Sequence, residues 1–70
     1  MMPLLMVDPG KTYEIKRIGG ESAQRKFIES LGFIQGGDVS VLSKSGENII
    51  VSVKGARVAI NKDVALKILV

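Results

Sequence analysis

The side chains that perform most enzyme chemistry are nearly absent from this 70-residue sequence. It contains no histidine and no cysteine, so neither a histidine base nor a thiolate nucleophile is available for a hydrolytic triad. Its serines have only lysines as candidate bases. In an adjacent pair such as Ser43 and Lys44, the two side chains point to opposite faces of a strand. The sequence therefore predicts a protein without catalytic residues and without a bound cofactor.

The carboxylates are too scattered to predict a metal site. An oxygen-ligand site needs several carboxylates that converge, and the seven acidic residues show neither a DxD nor an ExxH pairing. A Gly-Lys-Thr triplet at 10–12 is shared with phosphate-binding P-loops. That motif also needs a glycine five positions before its Gly-Lys, where this chain has Leu5. We expect neither a metal centre nor a nucleotide-binding loop.

The charge is mildly basic and spread along the chain. Ten Lys and Arg residues against seven Asp and Glu give a formal net charge of +3, and no run of about five like charges marks a nucleic-acid or lipid-binding tail. Small barrels that bind single strands stack bases on aromatic side chains, and the only aromatic residues here are Tyr13, Phe27 and Phe33. We expect no nucleic-acid partner, and a nucleic-acid-binding small barrel stays as an alternative interpretation.

Length and hydropathy predict a single domain, residues 1–70. Domains usually contain about 50–250 residues, and no linker or low-complexity stretch divides this chain. The apolar run Met1–Val7 has neither a basic start nor a small-residue cleavage site, and it is far shorter than the roughly 20 residues of a membrane-spanning helix. We expect it to be a first extended segment that covers the core, without insertion into a membrane.

One helix is predicted in the first half of the chain. Tyr13–Ile18 has the pattern of a strand, with an irregularity expected near Arg17, either a bulge or the end of the strand. Residues 22–31 then show helical spacing, with Ser22 as the predicted N-cap and Gly32 as the residue that ends the helix. The apolar stripe expected to face the core consists of Ala23, Phe27, Ile28 and Leu31.

The second half of the chain has the two-residue period of half-buried β-strands. Hairpin turns are predicted at 44–47 and 54–55, and Asn61 is predicted to cap one short helical turn. The residues expected on inner faces are Val39, Val41, Ile49, Val51, Val53, Val58 and Ile60, with Leu66, Ile68 and Val70 in a last strand. About five short strands with regular turns predict a mainly β fold, a small closed barrel, with one α-helix inserted after the first strand.

Four short motifs, taken in order, resemble the FeoA family. Its Leu-Gly-Phe-x-Pro-Gly-x-x-Val signature is similar to Leu31, Gly32, Phe33, Gly36 and Val39. Its Gly-Asp-Pro turn resembles 46–48, and its Gly-x-x-Ile-Ala-Leu strand resembles 55–60. Its usual ending is similar to Ala65 and Ile68–Val70. The resemblance covers nearly the whole chain, from about residue 5 to residue 70.

The resemblance implies both a fold and a function. The implied fold is an SH3-like barrel with an inserted helix. The implied function is that of a non-catalytic cytoplasmic accessory protein in bacterial ferrous iron uptake, which binds and modulates FeoB, a membrane transporter with a cytosolic G domain. The chain departs from the family pattern at Gln35 and Asn48, where proline is usual, and at Asn61, where arginine is common.

Two surfaces are candidates for contact with that partner. One is the outer face of the predicted helix with the apolar residues that follow it, and the other is the strand that carries Arg57. The predicted partner-binding residues are Arg25, Lys26, Phe33, Ile34 and Arg57. An alternative function is activation of GTP hydrolysis by the partner's G domain through an arginine that stabilises the phosphoryl group in transfer. The candidates for that arginine are Arg17, Arg25 and Arg57.

Overall fold

Six short strands, two α-helices and one 3₁₀ helix follow one another along the chain. The computed structural model describes residues 1–70. The elements are a 3₁₀ helix, Leu4–Met6; β1, Thr12–Glu14; β2, Arg17–Ile18; α1, Ser22–Ser30; β3, Asp38–Ser45; β4, Asn48–Val53; β5, Ala56–Asn61; α2, Lys62–Lys67; and β6, Ile68–Leu69. The fold is mainly β, as predicted, but it has one more strand, and the short turn expected after Asn61 is a second α-helix.

The strands form two sheets with separate hydrogen-bond ladders. The larger sheet has the order β1-β3-β4-β5, and the smaller one pairs β2 with β6. All neighbouring strands are antiparallel. Met2 and Val70 extend the smaller sheet by exchanging backbone hydrogen bonds of 2.9 and 2.8 Å. The ladders do not close into the single barrel expected from the sequence, and β5 is an open edge of the larger sheet.

One extended segment passes from the larger sheet to the smaller one. Its first part, β1, pairs with β3, and its second part, β2, pairs with β6. The Ile15 amide donates to the Gly37 carbonyl at 2.8 Å, whereas the next amide, that of Lys16, donates to the Leu69 carbonyl at 2.8 Å. The prediction of one strand over Tyr13–Ile18 is therefore wrong, because successive amides of this segment bond to different sheets.

Both sheets contribute to an entirely apolar core. None of the 14 buried residues is polar or charged. The inner face of β4, with Ile49, Val51 and Val53, is buried as predicted. The other buried residues are Leu4, Val7, Ile15, Ile18, Ile28, Phe33, Val39, Val41, Ile60, Ala65 and Ile68. Because a chain of this length buries a smaller share of its surface than larger domains do, its stability depends strongly on these few side chains.

Helix α1 starts without the predicted side-chain cap. Glu21 occupies the N-cap position and its side chain makes no capping hydrogen bond, while Ser22, the predicted cap, is the first helical residue. The other end agrees with the prediction. Gly32 has a φ of 109° and its amide donates to the Glu29 carbonyl at 2.9 Å, as expected for the residue after a helix. The end of α1 is thus more firmly defined than its start.

The core-facing side of α1 is narrower than predicted. Ile28 is fully buried, whereas Phe27 is 57% exposed and Ala23 is also exposed. Adjacent helical residues point about 100° apart, and with Ile28 directed into the core, Phe27 and Ala23 are turned toward solvent. The predicted stripe is therefore wrong at both Ala23 and Phe27, and Ile28 is the one buried residue of α1.

The second hairpin turn and the cap of α2 agree with the sequence predictions. Lys54 and Gly55 join β4 to β5 with φ values of 49° and 76°, the two positive values of a type I′ turn. Asn61 caps α2, since its Oδ1 accepts the Val64 amide at 2.9 Å. The helix then continues beyond one turn, so Leu66 lies in α2 and not in the last strand, where it was predicted.

The N-terminal segment covers the core through a helical turn. It was expected to be extended, but Leu4–Met6 form the 3₁₀ helix. Leu4 and Val7 are both buried, because residues three apart in such a turn lie on the same side. No helix of the protein combines the length and the apolar character that crossing a membrane requires.

Candidate functional site: a basic cleft beside helix α1

A cleft of about 500 Å³ lies between α1 and β2. Its walls come from the N-terminus, the β2 segment, one side of α1 and the loop after α1. The lining residues are Met1, Lys16, Arg17, Ile18, Ser22, Arg25, Lys26, Glu29 and Gln35. Only two of these nine residues are hydrophobic, so the cleft suits a polar or charged ligand.

The two main walls are positioned by local backbone geometry. The residues that α1 contributes are spaced by three and four positions, which places them on one side of the helix; they are Ser22, Arg25, Lys26 and Glu29. The opposite wall exists because the chain changes sheets after Ile15, which carries Lys16 and Arg17 away from the larger sheet. Helical spacing and a change of sheet thus bring basic residues from two elements together.

Positive charge dominates the cleft. Two lysines and two arginines line it, against the single carboxylate of Glu29. Lys16 forms an exposed ion pair with Glu14, with 3.2 Å between Nζ and Oε1, and exposed pairs contribute little to stability. The one other ion pair of the protein lies outside the cleft. The cations that share the cleft without an ion-pair partner are Arg17, Arg25 and Lys26.

Carboxylates do not gather into a metal-binding arrangement. No three His, Cys, Asp or Glu side chains come together in a way that could hold a metal ion. The cleft contains one carboxylate among four cations, so its charge favours an anion and disfavours a metal cation.

The structure separates the residues that were predicted to bind the partner. Arg25 and Lys26 line the cleft, whereas Ile34 is 42% exposed and lies outside it. Phe33, predicted as a partner-binding residue next to Ile34, has a fully buried side chain, so the expectation that it lies on the surface is wrong. The positive φ of Gly32 turns the chain back over the end of α1, and Phe33 follows directly, so its ring enters the core.

Arg57 belongs to a different surface. It is exposed on β5, at the end of a cross-strand row in which Thr12, Ser40 and Ser52 are paired neighbours across the larger sheet. Of the three arginines considered for phosphoryl stabilisation, the cleft therefore contains Arg17 and Arg25 but not Arg57.

Sequence reasoning identified part of the cleft and missed the rest. Lys16, Gln35 and Met1 were not predicted as site residues, and they come from segments that no motif connects. The one available signal was the irregularity expected near Arg17, which lies next to the point where the chain changes sheets. Recognising the cleft required the three-dimensional arrangement.

Solved structures define the class of this protein. A FeoA of Stenotrophomonas maltophilia complexed with zinc, described as a unique procaryotic SH3 domain protein, has a TM-score of 0.84 and 21% identity, with 99% of this chain and 88% of that chain covered. A FeoA-like protein of Clostridium acetobutylicum has a TM-score of 0.87 and 23% identity, with 97% and 81% covered. These likenesses show the fold, that of a small SH3-like β domain.

The sequence also shows the family. The model of the FeoA domain matches residues 2–70. An iron uptake regulatory protein, FeoA, known from a crystal structure, is 32% identical with a TM-score of 0.87, and the alignment covers 96% of this chain and 91% of that one. None of the curated proteins matches this sequence. The chain belongs to the FeoA family, which is associated with ferrous iron transport, and the resemblance inferred from its motifs is confirmed.

Proposed function

We propose that this protein is a non-catalytic cytoplasmic accessory protein that binds and modulates a FeoB-type ferrous iron transporter. The observation that carries the proposal is the FeoA match over residues 2–70. The Stenotrophomonas relative has been put forward as a bacterial ferrous iron transport activating factor, which supports modulation of a transporter as the role. Ferrous iron is in this proposal the cargo of the transporter.

Two exposed features support contact with a second protein. The basic cleft offers unpaired cations, and α1 and the loop after it expose two large apolar side chains, with Phe27 57% and Ile34 42% accessible. Aromatic and arginine side chains are the residues that most often dominate the energetics of protein interfaces. Because only one residue of α1 is buried, most of the surface of this helix is available to a partner.

Calorimetric titration of this chain into the purified cytosolic part of the transporter tests the binding. We expect saturable binding that Phe27→Ser weakens, because this variant removes an exposed aromatic anchor. Leu42→Ser is the matched control, since Leu42 is also a large exposed apolar residue, 42% accessible, but lies on β3 and not on α1. Absence of heat at two well-separated temperatures, at the highest attainable concentration, contradicts binding, because burial of apolar surface makes the enthalpy of binding temperature-dependent. Equal ferrous iron uptake by cells with and without this chain contradicts modulation.

Activation of GTP hydrolysis is a second candidate function, favoured by one observation. Arg17 and Arg25 share the cleft and neither is ion-paired, and an arginine supplied in trans can accelerate hydrolysis by about 1,000- to 100,000-fold. Turnover by the G domain, measured with the wild type and with Arg17→Lys and Arg25→Lys, tests it. Lysine keeps the charge but loses the planar guanidinium group with its paired donors. If Arg17 or Arg25 is an arginine finger, its lysine variant should therefore no longer stimulate GTP hydrolysis. An unchanged rate with the wild-type chain refutes this function.

A further inference from the structure

The basic cleft contains a much larger share of the basic residues of the chain than of its acidic residues. Four of the ten basic residues of the chain line it, together with one of the seven acidic residues. Like charges held in one concavity repel one another and add nothing to the stability of the fold. A cleft with an excess of one sign of charge does, however, focus the electrostatic field and raise the local concentration of oppositely charged ligands. The arrangement is therefore suited to recognition of an anion.

We infer that this cleft binds an acidic segment of a protein partner, with Asp or Glu side chains that pair with Arg17, Arg25 and Lys26. The inference rests on the proposed function in one respect, since it names the chemistry by which such a partner is recognised. Guanidinium groups bind carboxylates through two parallel hydrogen bonds, and two arginines from different elements offer two such contacts. An acidic chain segment can satisfy both at once with two of its carboxylates.

The remaining lining residues favour a polypeptide over a nucleic acid or a free phosphate. No aromatic side chain lines the cleft, so bases have no surface on which to stack. Glu29 can accept a hydrogen bond from a peptide amide, and Gln35 can both donate to and accept from a peptide backbone. Met1 adds an apolar contact, since it is 80% exposed at the rim. A mixed lining of this kind matches the mixed polarity of a peptide segment.

Fluorescence anisotropy with a labelled polyglutamate peptide tests the inference. The double variant Arg25→Glu/Lys26→Glu lowers the formal net charge from +3 to −1, and so does the matched control Lys11→Glu/Lys54→Glu outside the cleft. We expect the cleft variant to lose at least about tenfold in affinity and the control to change by no more than about twofold. Arg17→Glu, on the opposite wall, should also weaken binding. All substituted side chains are exposed, and circular dichroism verifies that each variant is folded.

Several outcomes overturn the inference. Equal losses in the cleft variant and the control mean that net charge alone attracts the peptide. Binding of inorganic pyrophosphate or of a single-stranded oligonucleotide in preference to polyglutamate assigns the cleft to another ligand. Amide shifts in an NMR titration that fall outside the β2 and α1 walls place the peptide elsewhere.

The transporter provides a separate arm that distinguishes the two proposals. If the cytosolic part of the transporter binds the wild type and the Arg25→Glu/Lys26→Glu variant equally well, the cleft inference is refuted while the proposed function stands. If it binds neither, but polyglutamate binds in the cleft, the proposed function fails and the acidic-segment inference stands with a different partner. Loss of transporter binding in the cleft variant alone, with the charge-matched control unaffected, supports both.

Discussion

The two phenylalanines of this chain have opposite environments and provide a direct test of the packing. Phe33 is fully buried in the apolar core, whereas Phe27 is 57% exposed on α1. We predict that Phe33→Ala strongly destabilises the protein and that Phe27→Ala does not. The same chemical change is thus made twice in one chain, with burial as the main difference.

The magnitude follows from the size of the protein. Truncating a buried phenylalanine to alanine costs about 3–5 kcal/mol, because transfer energy is lost and a cavity is left. A 70-residue chain has a free energy of unfolding of about 4–10 kcal/mol. Phe33→Ala therefore removes a large fraction of the total, while Phe33→Leu, which keeps most of the volume, should cost less than about 1.5 kcal/mol. For Phe27→Ala we expect a change within about 0.5 kcal/mol, since the higher helix propensity of alanine offsets the partial loss of burial.

Urea unfolding followed by far-ultraviolet circular dichroism measures these differences, since the chain has no tryptophan. With a slope of about 1 kcal/mol per molar urea, Phe33→Ala should lower the midpoint by about 3 M or more, or unfold the protein without denaturant. The Leu variant then gives a measurable midpoint at the same site. If the urea midpoint of Phe33→Ala lies within about 0.5 M of that of Phe27→Ala, at equal slope, the conclusion that Phe33 is buried and Phe27 exposed is refuted.

Three further substitutions test local features of the fold. Asn61→Ala removes the bond to the Val64 amide and should cost about 1 kcal/mol in urea unfolding, whereas Asn61→Asp should restore most of it; equal losses contradict the capping role. Lys54→Asn should stabilise the protein by about 0.5–1 kcal/mol in thermal unfolding, because Lys54 has a φ of 49° and asparagine tolerates this region better than lysine does; a lower melting temperature contradicts this reasoning. Ile28→Ala removes the only buried residue of α1 and should accelerate amide exchange in α1 more than in β4, while equal acceleration in both shows that the helix does not open separately.

Strand alternation and turn chemistry made much of the larger sheet predictable. Ile49, Val51 and Val53 face the core as their period of two requires, and Lys54-Gly55 forms a turn where glycine makes positive φ accessible. Local rules suffice at such positions because the side chains that specify the structure are close in sequence.

The predictions that failed concern residues whose positions depend on contacts between segments distant in sequence. The apolar spacing of α1 places Phe27 and Ile28 in one stripe, and only tertiary packing decides that Ile28 is buried and Phe27 exposed. Leu66 alternates with Ile68 as a strand residue would, but the cap at Asn61 starts a helix that extends beyond it. The cleft could not be predicted from the sequence for the same reason. Lys16 and Arg25 line one cleft only because the chain passes from the larger sheet to the smaller one between β1 and β2.

The position of β6 at the end of the chain also determines when the smaller sheet can form during synthesis. This strand pairs with β2, and the adjoining Val70 exchanges hydrogen bonds with Met2. During synthesis the N-terminal segment and β2 leave the ribosome first and have no partner until residues 68–70 follow. Contacts between such distant parts of a chain are slow to form. The smaller sheet, which positions Lys16 and Arg17, can therefore form only after the residues of β3–β5 have all been synthesised, and the basic cleft cannot exist before then.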